Sequence, residues 1–378
     1  LQAYEIAATF FQRAAALKPD FAEAFAAAGD AYRLIGRRSD AERCYRSALK
    51  RAPALPTALN GLGLLCLQSG DAAGAAEGFD RGRKATPAGH PLRAILLANL
   101  GLARLQLGHG MEGLALLAQA VEAAPGDAEA WRRLAGALRH TRLAPPTPAF
   151  REILLQLFDR PDVNPRNLAT AAIAVLRQQP EIDRLLESIA GAPGQLAETL
   201  EREATTASQL IQDHLFQTLL ATAPVPDVAI ELVLVQLRAD LLRLTEGAAE
   251  PLEEELSIAI GLARQAFLNE YVLFAAPAEQ TRVASLITDL DREDLGQRAG
   301  DLTKIAIVAA YRPLAATPLA ARLRGAALPV LADLLREQLS EPDEEAELRA
   351  RLPVLKPPTD AVSRAVQQQY EQNPYPRW

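Results

Sequence analysis

The feature that most constrains the fold of this chain is a proline that returns at a regular interval. Pro19, Pro53 and Pro87 are evenly spaced at about 34 residues, and Pro125 follows after a slightly longer interval. Three other columns recur in register upstream of these prolines: one of bulky residues and two of glycines. In that order the columns are Phe11, Tyr45, Phe79 and Leu117, then Gly29, Gly63 and Gly101, then Gly36, Gly70 and Gly108. Repetition with this period predicts a stack of similar supersecondary units.

Each period is suited to a pair of antiparallel helices. Glycines such as Gly29 allow the two helices to cross closely, and glycines such as Gly36 end each first helix. The column pattern resembles the tetratricopeptide repeat (TPR). It predicts, within residues 1–144, the second helix of one repeat, three full repeats and one further first helix.

Composition favours helices throughout. The chain is 49% hydrophobic but only 5% aromatic, so its core must consist of Ala, Leu, Ile and Val. No stretch shows sustained strand-type alternation. We therefore expect an all-α fold, in which a TPR helical-hairpin solenoid is followed by a further α-helical region in a right-handed α-α superhelix.

The second part of the chain keeps helical periodicity without the repeat columns. Residues 145–351 are expected to form an all-helical, solenoid-like region, and residues 352–378 a linker and junction. The apolar spacing predicts, among others, continuous helices over residues 196–222, 252–275 and 317–340.

In TPR families the first helices line a concave groove, so the resemblance implies a set of groove positions that bind a polypeptide or protein partner. These positions are Glu23, Asp30, Arg33, Thr57, Asn60, Leu64, Leu67, Ile95, Leu102, Leu105, Glu129, Arg132 and Arg139. Groove asparagines in such arrays often hold a peptide backbone, which makes Asn60 a candidate contact; the alternative is a solvated helix residue. The Lys/Asn set that clamps a C-terminal carboxylate in chaperone-binding TPRs is not reproduced. The apolar middle of the groove suits an extended or helical apolar segment, unless later helices of the same chain cover it.

The sequence offers little for catalysis. No glycine-rich S-adenosylmethionine loop follows a strand, and the four histidines lack metal-ligand spacing. Cys44 and Cys66 are best interpreted as small core residues in a reducing cytoplasm. The chain shows no signal peptide, and no apolar run reaches the length of about 18 residues that would indicate a membrane span. Residues 1–144 carry a net charge of +5 and the remainder −12, a distribution that argues against nucleic acid as a partner.

Three segments of the helical region occur in an order that supports a more specific resemblance: "FREILLQLFDRPDVNPRNLATAA", "LFQTLLATAPVPDVAIELVLVQLRADLL" and "LARQAFLNEYVLFAAPAEQ". Together with the closing "QYEQNPYPRW", they resemble the region before the catalytic domain of bacterial TPR–methyltransferase fusions, which are class I and use S-adenosylmethionine. In that family a helix matched here by Glu231 and Arg238 precedes an "N-E-Y" box that closes a long helix. The resemblance implies an inter-domain junction made of Asn269, Glu270, Tyr271, Tyr370, Pro374, Tyr375, Pro376 and Trp378.

These junction residues also have purely structural interpretations. Glu231 and Arg238 could each pair with a neighbouring helix, the "N-E-Y" box could brace a helix joint, and the closing strip could fold back on its own helices. The chain begins at Leu1, and its single methionine is Met111, so we expect a fragment.

We therefore expect a non-catalytic, substrate- or partner-binding TPR scaffold of a methyltransferase. Its own C-terminal catalytic domain would be a partner, and S-adenosylmethionine would be bound in the parent protein rather than here. The alternatives are a free-standing TPR adaptor and a chain whose helical region serves self-association.

Overall fold

The computed structural model describes residues 2–139, 147–245, 253–292, 296, 298–352, 360 and 362–366. Every regular element within these ranges is helical, so the all-α prediction is confirmed. The chain divides into two compact units, unit 1 (Leu1–Val175) and unit 2 (Leu176–Trp378).

Unit 1 consists of successive helices joined by short turns. They are α1 (Gln2–Leu17), α2 (Ala22–Leu34), α3 (Arg38–Arg51), α4 (Pro56–Gln68), α5 (Ala72–Ala85), α6 (Pro91–Gln106), α7 (Gly110–Ala123), α8 (Ala128–Leu138), α9 (Pro148–Phe158) and α10 (Ala169–Leu176), the last ending at the unit boundary. The pairs α2–α3, α4–α5 and α6–α7 are helical hairpins. We call α2, α4, α6 and α8 the first helices, and α3, α5 and α7 the second helices.

The turn inside each hairpin is set by a glycine, the residue that adopts a left-handed backbone without strain. Gly36, Gly70 and Gly108 have φ angles of 79°, 80° and 80°. At the second of these turns, the N–H of Asp71 donates to the carbonyl of Cys66 at 2.9 Å, the bond that closes a Schellman motif. The predicted helix ends are therefore where the glycine column places them.

The predicted close helix crossings are also present. Tyr45 of α3 is fully buried and lies against Gly29 and Gly61, and a Cβ atom added to Gly61 would lie 2.2 Å from its Cζ. Phe79 of α5 lies in the same way against Gly63, where an added Cβ would be 2.5 Å from its ring. The aromatic column therefore fills the space that the glycine column leaves open.

Unit 2 is built from shorter and less regular helices. They are α11 (Pro180–Gly191), α12 (Leu196–Arg202), α13 (Ala204–Gln212), α14 (His214–Thr222), α15 (Val228–Leu244), α16 (Glu253–Leu268), α17 (Pro277–Arg292), α18 (Ala299–Tyr311), α19 (Ala320–Arg324), α20 (Ala332–Leu335) and α21 (Glu341–Arg351), with a π-helical turn at Arg336–Ser340.

The predicted boundaries of three helices in unit 2 are wrong. Residues 196–222 form three helices, in part because the Asp213 carboxylate accepts hydrogen bonds from the N–H groups of Leu215 and Phe216 and starts a new helix there. Residues 317–340 are likewise broken into short helices. Helix α16 stops at Leu268 instead of continuing to residue 275, because the backbone turns left-handed directly afterwards.

None of the helices in the described part of the chain combines the length and apolar character needed to cross a membrane. Within the same residues, no three His, Cys, Asp or Glu side chains are grouped so that they could hold a metal ion.

Candidate polypeptide-binding face

The first helices form a continuous layer in unit 1. Helix α2 packs against α4, α4 against α6, and α6 against α8, whereas α3 and α5 pack chiefly against the first helices on either side of them. In a curved stack of hairpins the inner helices approach one another more closely than the outer ones. The first helices therefore form the concave side of unit 1, and we call this surface the first-helix layer.

All of the predicted groove positions lie on the first helices or directly after them, and all are at least partly accessible; Leu105 also packs against Gly113 of the second helix α7. Six are exposed: Glu23, Thr57, Ile95, Glu129, Arg132 and Arg139. Seven are half-buried: Asp30, Arg33, Asn60, Leu64, Leu67, Leu102 and Leu105.

The apolar middle of the layer is anchored in the core. Leu64 and Leu67 of α4 pack partly against a buried cluster that includes Phe79 and Leu96. Because their inner halves are fixed there while their outer halves stay accessible, they present a firm apolar surface rather than mobile side chains.

A chain of polar side chains crosses three of the first helices. The Nδ2 group of Asn99 donates to Oδ1 of Asn60 at 2.8 Å, and Nη1 of Arg133 donates to Oδ1 of Asn99 at 2.8 Å. Asn99 is only 4% exposed. Its side chain therefore links α4 to α8 and fixes the orientation of the Asn60 amide.

Asn60 is consequently tethered to α6 rather than freely solvated. Its carbonyl oxygen is used by Asn99, so its amide nitrogen is the group left to bind something else. In the part of the chain that the structure describes, this nitrogen has no acceptor.

Sequence reasoning missed Asn99 and Arg133. By the repeat spacing both belong to the column of Gly61, one and two repeats further along the chain. The signal that could have found them is a polar residue in a repeat column where Gly61 is small. The partner of Asn99 lies 39 residues away, however, and no periodicity in the sequence reveals that contact.

The charges of α8 are partly neutralised within the helix. Glu129 accepts hydrogen bonds from Nε of Arg133 at 2.9 Å and from Nη2 of Arg132 at 2.8 Å. Both hydrogen bonds, of which the one from Arg133 has the larger effect, lower the pKa of the Glu129 carboxyl below its usual value. Arg139, at the end of the helix, donates through Nε to the amide oxygen of Asn167 at 3.2 Å.

At the opposite end of the layer, Asp30 of α2 is committed to its own hairpin. The hydroxyl of Tyr45 donates to Oδ1 of Asp30 at 2.7 Å, and Nη2 of Arg33 lies 3.8 Å from the same oxygen. Burial raises the pKa of the Asp30 carboxyl, and the Tyr45 hydrogen bond and the Arg33 charge oppose that shift. Asp30 therefore supports the fold of its own hairpin.

In unit 2 the "N-E-Y" box closes α16 with an unusual backbone. Glu270 and Tyr271 have φ angles of 53° and 60°, and both are non-glycine residues in the left-handed region. The N–H of Tyr271 donates to the carbonyl of Ala266 at 2.8 Å, and Nδ2 of Asn269 donates to Oε1 of the buried Gln265 at 3.2 Å.

The segment after this box is held by a buried arginine. Arg238 of α15 is 2% exposed and donates to the carbonyls of Phe274 and, at 3.3 Å, of Ala310. Its guanidinium also lies 4.2 Å from the centre of the Tyr311 ring, a cation–π contact. The bond to Ala310 and the ring contact give Arg238 partners in the neighbouring helix α18.

Glu231 is half-buried in the same helix as Arg238, and burial raises the pKa of its carboxyl. The remaining predicted junction residues, Tyr370, Pro374, Tyr375, Pro376 and Trp378, lie outside the described residues, as does most of the predicted linker of residues 352–378.

Comparison with known protein families agrees with the hairpin geometry. Residues 26–90 and 99–145 match the family model described as "Tetratricopeptide repeat". No curated protein matches the chain in sequence. Among 55 matching chains of solved structures is YrrB, described as a TPR protein with an unusual peptide-binding site. It shares 20% sequence identity with a TM-score of 0.32, over 55% of this chain and 94% of that one.

The hairpins α2–α3, α4–α5 and α6–α7, together with α8, are thus TPR repeats in a helical solenoid, on the matched residues and on the hairpin geometry. TPR repeats bind peptides or proteins, so they indicate a protein-interaction scaffold.

Proposed function

We propose that the first-helix layer binds an extended polypeptide segment and that the chain recruits this segment for a methyltransferase. The observation that supports the first part is the tethered amide of Asn60, which lies on a helix whose other predicted groove positions, Thr57, Leu64 and Leu67, are uncharged. Its free N–H groups would donate to a backbone carbonyl of the ligand, a contact that any sequence can make.

The apolar surface supplies the rest of the binding energy. Leu64, Leu67, Leu102 and Leu105 would each lose accessible surface when a ligand side chain covers them, at about 25 cal/mol for each Å². A surface of this kind favours ligands with apolar side chains, while the backbone contact at Asn60 fixes their position.

The test is selection from a library of displayed random peptides, followed by affinity measurement on variants. Leu102→Glu places a charge in the apolar middle of the layer and should weaken the selected peptides at least tenfold, since burying an unpaired charge is costly. Met111→Glu is the matched control, because Met111 is 38% exposed on the second helix α7. Equal losses with both variants would contradict the proposal.

The methyltransferase part of the proposal rests on the ordered segments that resemble TPR–methyltransferase fusions. Its support in this chain is the retained strain at Glu270 and Tyr271, since non-glycine residues in the left-handed region each cost about 1 kcal/mol or more. In this proposal, the loop after α16 is a junction for the catalytic domain, and S-adenosylmethionine is bound by that domain.

The corresponding experiment uses the full-length protein encoded by the gene. Its binding of S-adenosylmethionine is measured by calorimetry, with the present 378-residue chain as the control. Binding by the full-length protein alone is the expected result. A full-length protein that binds none would leave the adaptor function, in which the TPR layer assembles protein complexes without an attached enzyme.

A further inference from the structure

We infer that the first-helix layer selects a segment with opposite charges at its two ends and an uncharged, apolar middle. The acidic end lies against α8 and the basic end against α2. This inference rests on the proposed function and adds the chemical class of the ligand.

The middle of the layer excludes charge. Helix α4 contains no charged residue. Helix α6 contains two, and both are engaged away from the ligand surface: Arg93 donates to the carbonyls of Arg83 at 3.0 Å and Thr86 at 2.9 Å, and Arg104 pairs with Glu112 of α7 at 3.0 Å. A charged ligand side chain placed over α4 would therefore lose hydration without meeting an opposite charge. Among the described residues, the charge that reaches α6 is the guanidinium of Arg133, which bonds Asn99 from α8 and belongs to the cationic end.

The α8 end offers a cation. Glu129 shares its carboxylate between Arg132 and Arg133, so these three side chains together carry a single positive charge. Arg139 is exposed, and its polar partner among the described residues is the neutral amide oxygen of Asn167. Since a guanidinium has five N–H donors and Nε uses one of them, Arg139 can still form a bidentate pair with a carboxylate.

The α2 end offers an anion. Asp30 is occupied by Tyr45 and Arg33, but the exposed carboxylate of Glu23, in the first turn of α2, has no partner among the described residues. The free charges of the layer are thus negative at α2 and positive at α8, with a neutral surface between them.

The distance between the two ends sets the ligand length. Packed helices lie about 8–10 Å apart, so three steps from α2 to α8 span about 25–30 Å. Glu23 lies in the first turn of α2 and Arg139 just after the last turn of α8, so the two charges are also offset by about 16 Å along the helix axes. An extended chain covers about 3.3 Å per residue, so the segment is about nine to ten residues long between its charged ends.

The experiment uses four synthetic peptides that share a central Leu-Ser repeat of this length. Two carry one lysine and one glutamate at opposite ends, in the two possible orders, and two carry either two lysines or two glutamates. Affinities are measured by fluorescence anisotropy at low salt. One of the mixed-charge peptides should bind about fivefold more tightly than the double-lysine peptide, the size of effect that an exposed ion pair gives.

Charge reversal identifies the residue responsible. Arg139→Glu should remove the preference of the mixed-charge peptide and improve binding of the double-lysine peptide. Arg46→Glu is the control, because Arg46 is an exposed arginine on the second helix α3. It should leave all four affinities unchanged.

The failure of this inference is distinguishable from the failure of the proposed function. If the peptides bind, lose binding with Leu102→Glu, and show no charge preference, the inference is overturned and the proposed function stands. Binding of none of the four peptides also overturns the inference, while the library selection decides the proposed function separately.

Discussion

Single residues in this protein are constrained most where two helices cross. Gly61 lies against the buried ring of Tyr45, and Gly63 lies against that of Phe79. These glycines are required by the space that the neighbouring aromatic side chains occupy. The stability of the hairpin array therefore depends on the glycines at these crossings as much as on the aromatic side chains that pack against them.

Gly61→Ala should destabilise unit 1 by about 2 kcal/mol, because its Cβ would overlap the Tyr45 ring. Gly136→Ala is the matched control, since Gly136 also lies within a helix but, among the described residues, has no atom beyond its own helix backbone within 4 Å of its Cβ position. This change should stabilise the protein by about 0.5–1 kcal/mol through helix propensity. Urea unfolding followed by circular dichroism measures both effects, and similar outcomes for the two variants would contradict the packing.

In unit 2, the buried side chain of Arg238 is also constrained by the elements that pack around it. Arg238→Met should destabilise unit 2 by about 3 kcal/mol, because the carbonyls of Phe274 and Ala310 lose their donor. Arg243→Met serves as the control, as Arg243 lies in the same helix in an exposed pair with Asp240 that should contribute less than about 1 kcal/mol. Equal thermal unfolding temperatures for the two variants would refute this role.

Asp30 provides a test that depends on pH. Its raised pKa means that the folded state disfavours the ionised carboxyl, so the wild-type protein loses stability as pH rises through that pKa. Asp30→Asn keeps an acceptor for the Tyr45 hydroxyl and has no proton to lose. The stability of the variant relative to wild type should therefore increase between about pH 3 and pH 7. Urea midpoints across this range that move in parallel would contradict the assignment.

At the scale of helices and turns, local capping decides where the elements of unit 2 begin. The carboxylate of Asp227 accepts from the N–H of Ile230 at 3.1 Å and caps α15, and it also pairs with Nη2 of Arg177 at 2.8 Å. One side chain thus fixes the start of α15 and holds it to the turn that follows α10.

Substitution separates these two tasks. Asp227→Asn keeps the cap and loses the ion pair, whereas Asp227→Ala loses both, so Ala should cost about 1 kcal/mol more than Asn. Asp333→Ala removes an exposed carboxylate paired with Arg336 and should be nearly neutral. Chemical denaturation of the three variants tests this order, and an Asn variant as unstable as the Ala variant would show that the cap contributes nothing.

The way in which each helix ends explains which helices could be predicted from the sequence. The helices of unit 1 were predictable because Gly36, Gly70 and Gly108 and the prolines mark their ends in the sequence itself. In unit 2 the break at Asp213 depends on a side chain turning back to the backbone, and the break at Glu270 uses left-handed residues that are not glycines. Neither signal is visible in the periodicity of apolar residues.

The candidate site was predictable to a similar degree. The accessible positions of the first helices follow from the repeat register, which is why Asn60 and the four leucines are accessible on the first-helix layer. The hydrogen bonds that orient Asn60 were not predictable, because Asn99 and Arg133 meet it through helix packing alone.

At the scale of the whole molecule, the two units rely on different kinds of core. Unit 1 repeats one crossing of small and aromatic residues, which leaves a regular layer of first helices free for recognition. Unit 2 is irregular, and buried polar side chains such as Gln265 and Gln338 form hydrogen bonds with backbone groups at the ends of its shorter helices. In our proposal the regular unit therefore carries the recognition surface.

Binding of a polypeptide by the first-helix layer is tested most directly by photo-crosslinking with a peptide from the library selection that carries a benzophenone group. Peptide mapping by mass spectrometry then locates the attachment sites on the 378-residue chain. We expect attachment within α4, α6 and α8, at positions such as Leu64, Leu102 and Arg132. Attachment confined to the second helices α3, α5 and α7, or to unit 2, would contradict the proposed binding face.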